Sequence, residues 1–109
     1  MSKAQEFSEE TFQSEVLESS KPVLVDFYAD WCAPCRAQGP IVDKLAGEYE
    51  GRAKIGKVDV DAQPELAGRY HVHSIPTLVV FKDGEVVDQI VGAQSRENLT
   101  ATLDAQFTA

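Results

Sequence analysis

Cysteine is nearly missing from this sequence: Cys32 and Cys35 are the only two in 109 residues. Two cysteines exclude a disulfide-stapled scaffold and leave no second pair for a four-cysteine zinc site. Long apolar runs are missing too. None approaches the roughly 18 residues a membrane span requires, and residues 1–7 hold neither the apolar stretch nor the cleavage site of a signal peptide. Positive charge is scarce, with 10 Lys and Arg against 18 Asp and Glu and a net charge of −8. That balance argues against nucleic acid or an anionic membrane as partner. The acidic residues are scattered and read as a solvated face. No repeat, low-complexity tract or Pro/Gly linker divides the chain. The expectation is one domain over residues 1–109, in a reducing, cytoplasmic compartment. A chain of this length buries about two thirds of its unfolded surface, enough for one core without staples.

What is present reads as alternating helices and strands. Ser8 followed by Glu9 and Glu10 caps a first helix that ends near Ser19, with Phe7 and Phe12 at the spacing of a hydrophobic staple. Residues 23–29 (VLVDFYA) are apolar on both faces, as a doubly covered strand must be, and Asp26 interrupts them. Residues 34–49 form a helix with Ile41, Val42, Leu45, Ala46 and Tyr49 on one side, kinked at Pro40. Residues 53–60 are a second buried strand and 64–70 a short helix led by Pro64. Asp83-Gly84 joins strands 77–82 and 85–91 as a hairpin. Gly92 ends the second of these, and Ser95 caps a last helix whose Leu99, Leu103 and Phe107 should dock on the sheet. Crossovers force parallel pairing early, and the hairpin adds an antiparallel edge. The fold class is therefore α/β, a three-layer α/β/α sandwich around a mixed central sheet.

The cysteine pair lies where the first strand gives way to the second helix. Residues three apart are neighbours on a helix, which brings the α-carbons to roughly 5 Å, within disulfide range. With Cys32 at the N-cap and Cys35 at N3, the first sulfur faces free backbone N–H groups and the positive end of the helix dipole. Both favour thiolate over thiol, and Arg36 adds positive charge nearby. Pro34 fixes the first turn but offers no N–H, so the expected poise is a moderate reductant. Cys35, one turn in, should be more buried and keep its proton longer. An attacking thiolate beside a resolving thiol is what disulfide exchange needs.

Trp31-Cys32-Ala33-Pro34-Cys35-Arg36 follows Val25-Asp26-Phe27, and Lys57-Val58-Asp59, Ser74-Ile75-Pro76-Thr77 and Val91-Gly92-Ala93 come after it. In this order and at these separations the motifs resemble the thioredoxin family along the whole chain. The resemblance implies a monomeric protein disulfide reductase with no cofactor of its own, re-reduced by a flavin-dependent thioredoxin reductase. It implies Cys32 as nucleophile and Cys35 as resolving cysteine. Asp26 matches a buried carboxylate that takes the Cys35 proton through water, and Lys57 its neighbour. Pro76 matches a cis-proline whose loop, with Ile75, pairs with the substrate backbone. Trp31, Ala33, Pro34, Ile75, Gly92 and Ala93 match the substrate groove, and Asp61 a carboxylate near Trp31. Loss of hydration at Asp26 raises its pKa toward neutrality, which suits the role; an ion pair with Lys57 is the plainer reading.

Some positions depart from the family pattern. Ala33 replaces a glycine, Arg36 a lysine and Tyr28 a tryptophan, while His71-Val72-His73-Ser74 stands where smaller residues are frequent. The two histidines and two cysteines permit a zinc reading, but H-x-H is tighter than finger spacing, and two surface histidines are the plainer account. A docking scaffold with incidental redox cycling stays open; Cys32→Ser separates the two, since a scaffold keeps its partner. An oxidant or isomerase of exported proteins is disfavoured by Ala33-Pro34 in place of a His-containing dipeptide.

Overall fold

The two apolar runs pair in parallel at the middle of a sheet, and the hairpin completes it on one side. The computed structural model describes residues 4–107; residues 1–3 and 108–109 of the expected domain lie outside the described residues. The chain runs β1 (Gln5–Glu6), α1 (Glu9–Phe12) continuing into a π-helical stretch (Gln13–Leu17), β2 (Val23–Tyr28), α2 (Ala33–Glu48), β3 (Lys54–Asp59), α3 (Pro64–Arg69), β4 (Thr77–Lys82), β5 (Glu85–Val91) and α4 (Arg96–Asp104), closing on a 3-10 turn (Ala105–Phe107). The sheet order is β1-β3-β2-β4-β5. β1 and β2 flank β3 in parallel, while β4 runs antiparallel to both β2 and β5. Asp83 and Gly84 take φ values of 53° and 81°, the positive pair a two-residue hairpin turn requires.

Alternation along β2 sorts the core into two halves. Leu24 faces a cluster with Val42, Leu45 and Tyr49 of the α2 side and Leu99 and Leu103 of α4. Val23, Val25 and Phe27 face the other way, onto Phe12, Val16, Leu66 and Phe81. Helices thus cover both faces of the sheet, the three layers expected. The carboxyl end of β2 opens directly into α2, so this pole carries the cysteines. Among the described residues, no helix is long and apolar enough to cross a membrane.

Three local expectations need correction. The sheet gains β1, which no sequence pattern announced. The first helix keeps its Ser8 cap and staple, with the Phe7 and Phe12 rings 6.2 Å apart. It then widens, so that the Glu18 N–H reaches Gln13 O, five residues back. Phe107 does not dock on the sheet: the tighter 3-10 winding turns it off the Leu99–Leu103 stripe, and it stacks on Tyr49 at 6.4 Å.

Gly56 shows what holds β1 in place. A Cβ there would overlap the Phe7 ring and lie 2.7 Å from Gln5 O. Gly56→Ala is therefore expected to cost about 2 kcal/mol and lower the Tm by about 10 °C. Thermal unfolding checks this; an unchanged Tm means that Phe7 yields freely.

Candidate active site

The end of β2 and the start of α2 are joined by a tight turn in which Cys32 N–H donates to Ala29 O at 3.2 Å. Cys32 is the N-cap, with extended φ and ψ of −92° and 112°, and its Sγ accepts the Cys35 N–H at 3.2 Å. Ala33 and Pro34 form the exposed first turn, where a proline's missing N–H leaves no gap in the ladder. Cys32 and Cys35 are joined as a disulfide with their α-carbons 5.2 Å apart. Cys35 is only marginally the more covered of the two cysteines, at 4% exposure against 5% for Cys32. Arg36 stays exposed and donates from Nη1 to Asp30 O.

In front of the disulfide lie two loops from distant parts of the chain. The Ile75-Pro76 bond is cis, and Ile75 O lies 3.7 Å from Cys32 Sγ. Gly92, at φ 97°, donates its N–H to Pro76 O at 2.8 Å, which ties the turn after β5 to the proline loop. Ala93 follows on the surface, and Ile75 is half-buried. Trp31 is 68% exposed, and its Nε1–H donates to Asp61 Oδ2 at 2.8 Å. An open, largely apolar surface thus flanks Cys32, with the Ile75 carbonyl beside the sulfur.

Behind the disulfide, Asp26 lies on the same face of β2 as Leu24 and Tyr28. It is fully buried, and neither carboxyl oxygen has a hydrogen-bond partner among the described residues. Burial pushes its pKa from 3.8 up to about 7, against the pull of Lys57, with Asp43 and Glu6 pushing the same way as burial. Lys57 is the register neighbour of Asp26 on β3, but its ammonium pairs with Asp43 at 3.8 Å and sits 5.3 Å over the Tyr28 ring. The plainer reading of a direct Asp26–Lys57 pair is thereby replaced. Tyr28 donates its hydroxyl to Glu6 Oε2 at 2.9 Å. A cleft of about 260 Å³ lined by Tyr28, Cys35, Gly39, Asp43 and Lys57 reaches this side of Cys35.

The sequence reading did not single out Asp43 or Glu6. Asp43 follows Cys35 by two helical turns, a spacing that could have revealed it; Glu6 reaches the cluster only through the unforeseen β1. His71 and His73 are exposed on the approach to Pro76, His71 at φ 57°. Among the described residues, no three His, Cys, Asp or Glu side chains gather closely enough to hold a metal.

Exchanging two electrons with a disulfide needs a second sulfur within bonding reach of the first, and one helical turn supplies it here; this is the construction of a thiol–disulfide oxidoreductase. The family model described as Thioredoxin matches residues 3–105. Thioredoxin 1 of Nostoc sp. is 49% identical over 104 residues, covering 95% of this chain and 97% of that protein. Thioredoxin 1 of Synechococcus elongatus is 51% identical with the same coverage. A thioredoxin of Staphylococcus epidermidis is 57% identical over 81 residues, 74% of this chain and 78% of its own. The chain belongs to the thioredoxin family. Its Cys32–Cys35 pair makes it a disulfide reductase, whose partners are disulfide-containing substrates and a reductase.

Proposed function

We propose that the protein reduces disulfides in other proteins, with Cys32 attacking and Cys35 resolving, and that a flavin-dependent thioredoxin reductase returns it to the dithiol. The Cys32 thiolate attacks one sulfur of the substrate disulfide; a mixed disulfide forms and the first substrate thiolate leaves. Cys35, deprotonated, then attacks the Cys32 sulfur, closing the internal disulfide and releasing the second substrate thiolate. Two electrons pass to the substrate, and its two thiolates take up the two protons the dithiol has lost. The observation that carries this reading is Cys32 Sγ at the head of a 16-residue helix, accepting a backbone N–H. That position favours the thiolate.

Asp26 takes the Cys35 proton through water, and Lys57, paired with Asp43, sets the local charge. Trp31, Ala33, Pro34, Ile75, Pro76, Gly92 and Ala93 form the groove, where the Ile75 and Pro76 loop meets the substrate backbone. The protein works as a monomer in the cytoplasm, with neither nucleic acid nor membrane as partner, and needs no cofactor of its own.

Cys35→Ser tests the order of attack. Mixed with insulin, this variant is expected to accumulate a dithiothreitol-sensitive mixed disulfide through Cys32, read by mass spectrometry. Capture by Cys32→Ser instead reverses the assignment.

A further inference from the structure

Residues Cys35, Gln38, Val42 and Leu45 form the buried face of α2, and Gln38 is the one amide among them. It is 1% exposed. Leucine or methionine would fill the same stripe without the penalty of desolvating an amide, which is recovered only when both ends are hydrogen-bonded. Both ends are. Gln94 N–H donates to Gln38 Oε1 at 2.6 Å, and Gln38 Nε2 donates to Gln94 O at 3.2 Å. The partner is 56 residues away and belongs to the turn carrying Gly92 and Ala93. That turn is held at its other end by the bond from Gly92 N–H to Pro76 O. A Gln94 side-chain amide donating to Gly92 O at 3.1 Å braces it internally.

We propose that Gln38 is a positioning residue for substrate docking: by gripping both backbone polar groups of Gln94 it fixes the 92–94 turn against the helix that bears the disulfide. Gln38 lies three residues beyond Cys35 on the same helix face, so the grip sets the distance between groove wall and reacting sulfur. The inference rests on the groove reading given above. A substrate that fills the groove needs the turn in place before it docks. A small disulfide that meets only the sulfur does not. Freed of its clamp, the turn would have to be ordered by the substrate at the substrate's cost in affinity.

The test uses the whole protein, pre-reduced and freed of reductant, in single-turnover reactions with insulin and with 5,5′-dithiobis(2-nitrobenzoate). Gln38→Met keeps length and volume but removes both hydrogen bonds. It is expected to raise the half-saturating insulin concentration about tenfold, the worth of two lost hydrogen bonds, with the plateau rate within about twofold. The small disulfide should react within about twofold of wild type. Gln38→Glu keeps the acceptor for Gln94 N–H and is expected to fall between. Amide exchange at Gln94 should quicken in Gln38→Met and change less in Gln38→Glu, which keeps the acceptor, and if Gln38→Met does not fold, the insulin half-saturation of Gln38→Glu decides. Equal loss with both disulfides means general damage and overturns the inference. Ala93→Glu separates the two readings. If it weakens insulin docking while neither Gln38 variant does, the positioning role falls alone; if it leaves insulin docking unchanged, the groove reading falls and takes the role with it.

Discussion

Cys32→Ser is expected to abolish disulfide reduction, by more than about a thousandfold, because only a thiolate is both nucleophilic and able to be displaced again from sulfur. A serine oxygen at the head of α2 still accepts the Cys35 N–H, so the cap survives and the fold with it. The variant therefore separates chemistry from structure. Insulin reduction driven by dithiothreitol should fall to the rate of dithiothreitol alone, while the far-ultraviolet spectrum stays that of wild type. Substantial residual turnover would mean that Cys35 attacks first. A partner function that survives in this variant without any turnover would instead mark the protein as a docking scaffold.

Asp26→Asn is expected to produce the largest change in stability, and one that depends on pH. The unfolded carboxyl titrates near 3.8 and the folded one near 7. Below the first value both states hold the proton and burial of the acid exacts nothing. As pH rises the unfolded chain releases its proton while the folded protein cannot, so stability declines until the folded carboxyl itself titrates. Above that point the loss is complete, about 4 kcal/mol at about 1.4 kcal/mol per pH unit. Asparagine never ionises, so the variant should gain on wild type by that amount between pH 4 and pH 8, as measured by urea unfolding of the oxidised proteins. Parallel stability curves would show that Asp26 is solvated in the folded state. With Asp26 as the proton acceptor proposed above, the variant should also reduce insulin about tenfold or more slowly at neutral pH.

How far the sequence announces this molecule depends on the range of the forces involved. Caps and turns are local, and Ser8, Cys32, Ser95 and Asp83-Gly84 all stand where their chemistry alone places them. The buried strands were equally legible, because a run such as VLVDFY suits few other environments. β1 was not, since two exposed residues carry no periodicity and their pairing depends on Phe7 crossing the side-chain-free surface of Gly56. Phe107 repeats at the right spacing, yet a change of helical winding over the last three residues sends it to Tyr49. At the site, the sulfurs, the buried acid and the proline loop lay open in the motifs. The partner of Lys57 did not: choosing between Asp26 and Asp43 requires knowing which carboxylate is left in solvent.

The cleft on the Lys57 side of α2 shares Cys35 with the disulfide, and none of Trp31, Ile75, Pro76, Gly92 or Ala93 lines it. A protein docked on that surface as proposed above would leave this second opening uncovered. On the function proposed above, this opening would give the Cys35 proton a route to solvent while the substrate is still seated.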